Sequence, residues 1–150
     1  MFRRMKRIFS VLVVIPLLLV TLAPITSATP PEGPVTIVTA IDFSSFPFGG
    51  TFEVTEGDGI LGCPSGMFTD LPRGFGVIQK IFSCTGGTGT FTFLFVPRPS
   101  PGPGDANSHW EAWKATGAFV GLRGEGDFSL VITGPTSGVE TLTGVIHFEP

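Results

Sequence analysis

Between Thr88 and Phe95 the chain runs Thr-Gly-Thr-Phe-Thr-Phe-Leu-Phe, so Phe91, Phe93 and Phe95 fall on one face of an extended segment and Thr90, Thr92 and Leu94 on the other. A period of two is the signature of a strand, because successive side chains leave a pleated backbone on opposite sides. The same alternation sets Phe128, Leu130 and Ile132 against Ser129, Val131 and Thr133, and recurs from Val139 to His147. Further apolar and β-branched runs, each bounded by glycine or proline, cover Pro34 to Phe43, Gly50 to Thr55, Phe75 to Ser83 and His109 to Val120. This pattern predicts at least seven strands, with Ile60 to Cys63 as a short eighth. The 21 glycines and 14 prolines leave no room for sustained helical periodicity after the N-terminal run. The architecture is then a β-sandwich or an up-and-down barrel.

The first 28 residues follow a different pattern. Arg3, Arg4, Lys6 and Arg7 precede an apolar run from Ile8 to Ala23, and the small residues Thr26 and Ala28 stand just before Thr29. Charge, apolar core and small residues in that order predict a signal peptide over 1–28, cleaved before Thr29. As a membrane anchor the run is short, and Pro16 interrupts it. No cysteine follows the expected cleavage point to take a lipid. Residues 29–34, rich in proline, are expected as a flexible arm, and residues 35–150 as one domain.

Cleavage changes the charge. Five basic residues remain (Arg73, Lys80, Arg98, Lys114 and Arg123) against twelve acidic ones, which leaves a net charge of −7. Nucleic acid and anionic membrane surfaces are poor partners for such a chain, since both require a basic patch. An even count of two cysteines in an exported chain predicts a structural disulfide, Cys63 to Cys84, and a secreted product. Closing a loop of about 20 residues is worth roughly 3 kcal/mol. Two lone cysteines without histidines at matching spacing do not make a zinc site.

The run Trp110 to Gly126, Trp-Glu-Ala-Trp-Lys-Ala-Thr-Gly-Ala-Phe-Val-Gly-Leu-Arg-Gly-Glu-Gly, resembles a signature of uncharacterised exported bacterial proteins. Those proteins are similar in fold to the allene oxide cyclase-like and dirigent-like barrels. The segments Cys63-Pro-Ser-Gly66, Phe82-Ser-Cys84 and Thr143-Gly-Val-Ile-His147 carry the same resemblance. It departs at Ala115, where glycine is usual, and at Phe119, where tyrosine is common. The resemblance implies an all-β fold: a small antiparallel β-barrel of about eight strands, closed or nearly closed. It implies no activity, since fold does not determine function. The cyclase is thought to use a carboxylate and shape control, but no aligned motif carries its residues onto this chain. Gly121, Gly124 and Gly126 read as residues of a tight connection between strands rather than a phosphate loop, because a strand and not a helix follows them. Thr88-Gly-Thr-Phe91 and Thr116-Gly-Ala-Phe119 look like one device used twice.

Candidate chemistry is sparse. His109 and Glu111, and likewise His147 and Glu149, share strand faces, but one intervening strand keeps the two dyads about 9 to 10 Å apart, too far for one metal ion. No metal and no cofactor are expected. Asp42, Glu53 and Glu56 are the acidic residues near predicted strands, and each is expected in solvent. There is no Gly-x-Ser-x-Gly segment. Pro97 to Gly104, alternating proline with other residues, reads as a loop of polyproline character, with a ligand for a recognition domain as its functional alternative. Thirteen phenylalanines remain after Phe2 and Phe9 are removed, with two tryptophans and no tyrosine. In a barrel of about eight strands, Phe91, Phe93, Phe95, Trp110 and Trp113 either line a pocket for a small apolar ligand or fill it. The expectation is a non-enzymatic exported barrel, ligand-binding or structural, with a shape-directed isomerase or cyclase as the alternative.

Overall fold

The computed structural model describes residues 31–96 and 108–150. The expected signal peptide and the Pro97 to Gly104 loop lie outside the described residues. Eight strands form a closed antiparallel barrel in chain order, β1 (Glu32–Asp42), β2 (Gly49–Glu56), β3 (Ser65–Gly74), β4 (Val77–Cys84), β5 (Thr90–Val96), β6 (Ser108–Ala115), β7 (Leu122–Gly134) and β8 (Ser137–Phe148). β1 closes on β8 over the full register from Glu32 opposite His147 to Asp42 opposite Ser137. Closure removes the sheet edges that an open array would expose.

Several boundaries differ from the sequence reading. β1 begins at Glu32, inside the expected arm of 29–34, because β8 offers its edge to residues 32–35 even though Pro34 brings no amide donor. The eighth strand is not Ile60 to Cys63. That stretch ends a single helical turn, α1 (Asp58–Leu61), flanked by Gly57 and Gly62 with φ of 83° and 66°. The eighth strand is Ser65–Gly74, which escapes pattern reading because Asp70, Pro72 and Arg73 break its apolar run. β6 stops at Ala115, a 3₁₀ turn spans Gly117–Phe119, and β7 starts at Leu122. Gly121, with φ of 88°, belongs to the connection, but Gly124 and Gly126 lie within β7.

Both glycines are required by close approach, and a Cβ on Gly126 would lie 2.0 Å from the Thr143 carbonyl oxygen of β8. Trp110, Gly126 and Gly144 are in register across β6, β7 and β8. A Cβ on Gly144 would come within 2.5 Å of the Trp110 ring. The bare backbone lets the fully buried indole lie across two strands and donate from Nε1 to the carbonyls of Asp127 and Thr143, at 3.1 and 3.3 Å. The paired device meets itself in space: a Cβ on Gly117 would lie 1.7 Å from the Thr88 carbonyl oxygen, and one on Gly89 would lie 2.2 Å from that of Thr116. The Thr116 hydroxyl accepts from the Thr90 amide at 2.9 Å and completes the lock.

This end of the barrel is sealed. Leu61 of α1 and Phe119 of the 3₁₀ turn are buried against the core, and the Cys63–Cys84 disulfide (Cα–Cα 5.7 Å) ties the β2–β3 connection to the end of β4. At the opposite end, the loops β1–β2, β3–β4 and β7–β8 leave Phe46, Phe75 and Ile132 exposed. We refer to it as the mouth.

Candidate functional site

Alternation directs Val35, Ile37, Thr39 and Ile41 of β1 inward, with Phe52 and Val54 of β2, Phe68 and Asp70 of β3, and Lys80 and Phe82 of β4. Phe91, Phe93, Phe95 and Trp110 follow on β5 and β6, and Glu140, Leu142 and Ile146 on β8. The rings fill the space they enclose. Phe82 stacks on Phe91 at 4.8 Å, Phe93 stacks on Trp110 at 4.4 Å, and Phe52 meets Phe82 edge-on at 5.0 Å. Such contacts add about 0.5 to 1.5 kcal/mol per pair beyond the area buried. Of the five residues expected to line the interior, Phe91, Phe93, Phe95 and Trp110 do so, and each is at most 2% exposed.

Trp113 does not line it. The β5–β6 register slips between Thr92 and Phe93, and Trp113 falls on the outer wall, where Arg73 and Lys114 lie 5.0 and 4.1 Å from its ring centre. Depressions of about 490, 460 and 330 Å³ run along the outer wall and the rim, over β1–β2, over β6–β8 and beneath the β1–β2 loop.

The interior also holds charge. Lys80 is 1% exposed, and its Nζ lies 2.8 and 2.9 Å from the two carboxylate oxygens of Asp70, its register partner on β3. From β4 the ammonium reaches across the barrel to Glu140 Oε2 on β8, at 3.0 Å. In an eight-strand barrel β4 and β8 stand on opposite sides. Thr39 completes the group, donating to Glu140 Oε2 at 3.3 Å from the neighbouring position on β1. The ammonium also sits 3.9 Å from the centre of the Phe68 ring, a favourable cation–π placement.

Two carboxylates share one ammonium, so the fully ionised cluster holds a surplus negative charge in an apolar interior. Burial pushes the carboxyl groups of both Asp70 and Glu140 above their usual range, and attraction to Lys80 offsets this only in part. The Asp70 charge adds to the rise at Glu140. The arrangement can brace opposite walls, and it can take up a proton as a coupled unit.

Reading for isolated motifs missed this cluster, yet a signal was present. Asp70 follows Phe68 by two, Lys80 precedes Phe82 by two, Glu140 precedes Leu142 by two, and Thr39 lies between Ile37 and Ile41. Each polar residue is in phase with the apolar face of its own strand. Three charged residues in that phase on three strands must meet or be balanced once a barrel closes.

The residues singled out for chemistry are all on the outer wall. Asp42, Glu53, Glu56 and Glu111 are exposed. The Asp42 carboxylate accepts from the Ser44 amide, and hydrogen bonding to Ser44 holds its pKa below the usual value. His109 faces β7, with Nε2 3.5 Å from Glu125 and Nδ1 3.9 Å from Asp127. β7 separates His109 from His147. Glu149 is paired with Arg123 at 2.9 Å. Among the described residues no group of three or more histidine, cysteine, aspartate or glutamate side chains could hold a metal ion.

No family model matches this chain, and no curated protein or solved structure matches it either.

Proposed function

We propose that this protein is an exported, non-enzymatic structural barrel of the extracellular space. The observation that carries the reading is the interior, which the chain fills with its own stacked rings and a paired charge cluster instead of leaving lined and hollow. The charged and apolar N-terminal run supports export, and the Cys63–Cys84 disulfide is compatible with an oxidising compartment. The Trp110 to Gly126 signature supports kinship with the barrels it resembles.

Native mass spectrometry of the secreted protein under non-reducing conditions tests this reading. The expected species begins at Thr29, is lighter than the reduced chain by two hydrogens, and carries no organic molecule. An uncleaved chain would overturn the export reading. An apolar molecule retained at one per barrel would overturn the filled interior.

One observation favours a second reading, a shape-directed isomerase or cyclase. Asp70 and Glu140 are buried carboxyl groups pushed toward holding a proton, as a general acid or base requires. That reading expects an apolar molecule bound by the native barrel and released by Asp70→Asn with the fold retained.

A further inference from the structure

Lys80 stands between two carboxyl groups in a way that suits bond formation as well as charge pairing. Asp70, its register partner, presents both oxygens to Nζ, at 2.8 and 2.9 Å. Oδ1 makes no hydrogen bond at that distance, so the amine lies against the carboxyl group as a whole rather than at the end of one lone pair. The carbon that joins the two oxygens is then about 3 Å from Nζ, the separation of a near-attack pair. Glu140 meets the same nitrogen from the opposite wall through Oε2, at 3.0 Å. Thr39 holds that oxygen from β1, and the Phe68 and Phe95 ring centres lie 3.9 and 5.3 Å from Nζ. Lys80 is 1% exposed, so the three groups meet out of contact with bulk water.

We propose that this cluster is the reactant state of a self-formed amide crosslink, in which Lys80 Nζ bonds to Asp70 Cγ and Glu140 carries the proton. The ion-paired barrel is the form before reaction, the stability and pH responses of the cluster belong to that form, and the bond matures after folding.

The step balances with these groups alone. Glu140 takes one proton from the ammonium, and Nζ attacks Cγ of protonated Asp70. The Nζ–Cγ bond forms, and the Asp70 hydroxyl leaves with a second nitrogen proton as water. The third nitrogen proton stays on the amide, net charge is unchanged, and nothing is oxidised or reduced. Burial pushes both carboxyl groups above their usual range, which favours the protonated Asp70 that an amine can attack. Held pairs of this kind react as though each were present at about 10⁵ to 10⁸ M. The product replaces three buried charges with neutral groups, which an apolar interior favours. It also gives β4 a second covalent tie, since Cys84 already joins its other end to the β2–β3 connection. The bond deepens the structural reading above and rests on it, because an Asp70 held in an amide no longer serves as an acid or base.

The crosslink is read on the full chain after incubation at mildly acidic to neutral pH, then reduction, denaturation and digestion with trypsin. The peptides that meet at Arg73, one carrying Asp70 and the other Lys80, should stay joined at a mass one water below their sum. Amine labelling of the denatured chain should modify Lys114 and spare Lys80. Glu140→Gln keeps the shape of the side chain and should slow the appearance of the bond after refolding by about 100-fold or more, with the circular dichroism of the barrel unchanged. Peptides that separate overturn the proposal. So does a water lost without joining them, as a cyclic imide at Asp58-Gly59 would give, a crosslink that maps to Glu140, or a Glu140→Gln chain that reacts as fast as the wild type. A retained apolar molecule, which would overturn the structural reading, is read on the native chain instead, so the two fail separately.

Discussion

The two ends of this barrel are built from the same eight strands and finished in opposite ways. At the sealed end, α1, the 3₁₀ turn and the disulfide cover the core with Leu61, Phe119 and Cys63, all at most 3% exposed. The Gly89 and Gly117 backbones approach too closely there to admit a side chain. Toward the mouth the polar cluster replaces rings in the core, and Phe46, Phe75, Val131 and Ile132 stand in solvent. One end is held by constraints that are covalent or steric and indifferent to pH. The other depends on charge balance, which responds both to substitution and to protons.

The most damaging single change should therefore fall toward the mouth. Lys80→Met leaves Asp70 and Glu140 buried without a counter-ion, and removing one member of such a cluster costs about 3 to 5 kcal/mol. Urea denaturation should show that loss, and adding Asp70→Asn and Glu140→Gln to Lys80→Met should restore most of it. A larger loss from the triple variant would mean that the cluster contributes through its hydrogen bonds rather than its charge balance.

At the sealed end, replacing both Cys63 and Cys84 with serine should cost about 2 to 4 kcal/mol, with little change in the midpoint's dependence on pH. A loss as large as that of Lys80→Met would show that the two ends are not separable.

The smallest effect is the pH response itself. Asp70 and Glu140 hold protons to higher pH in the fold than in the unfolded chain, because burial outweighs the pull of Lys80. Between the ordinary carboxylate range and their raised values the folded state binds more protons, so stability falls as pH rises through that window. Denaturation midpoints measured across mildly acidic to neutral pH should decline, and Glu140→Gln should flatten the decline. A midpoint rising with pH in the wild type, with the same slope in Glu140→Gln, would remove the cluster from the account.

Much of this was legible in the chain. The alternation of Phe91, Phe93 and Phe95 identified a strand and its buried face, and the even cysteine count in a chain with an export-like start pointed to the Cys63–Cys84 bridge. β3 was not legible as a strand, because pattern reading treats Asp70, Pro72 and Arg73 as loop residues. Inside a barrel Asp70 is instead a core residue with a partner one strand away. Trp113 stands three residues from Trp110, an odd spacing that already places the two on opposite faces of one strand, so its outward position was legible in the chain and was overlooked.

By itself the sequence determined which stretches extend, which face of each is apolar, and that two cysteines were available to pair, because these depend on residues close along the chain. Tertiary structure decided what distant residues do to one another. It put Lys80 between carboxylates from strands on opposite walls and opened Gly144 to the Trp110 ring. Closing the barrel brings each strand against two others, and only then does a charge on an apolar face acquire a partner.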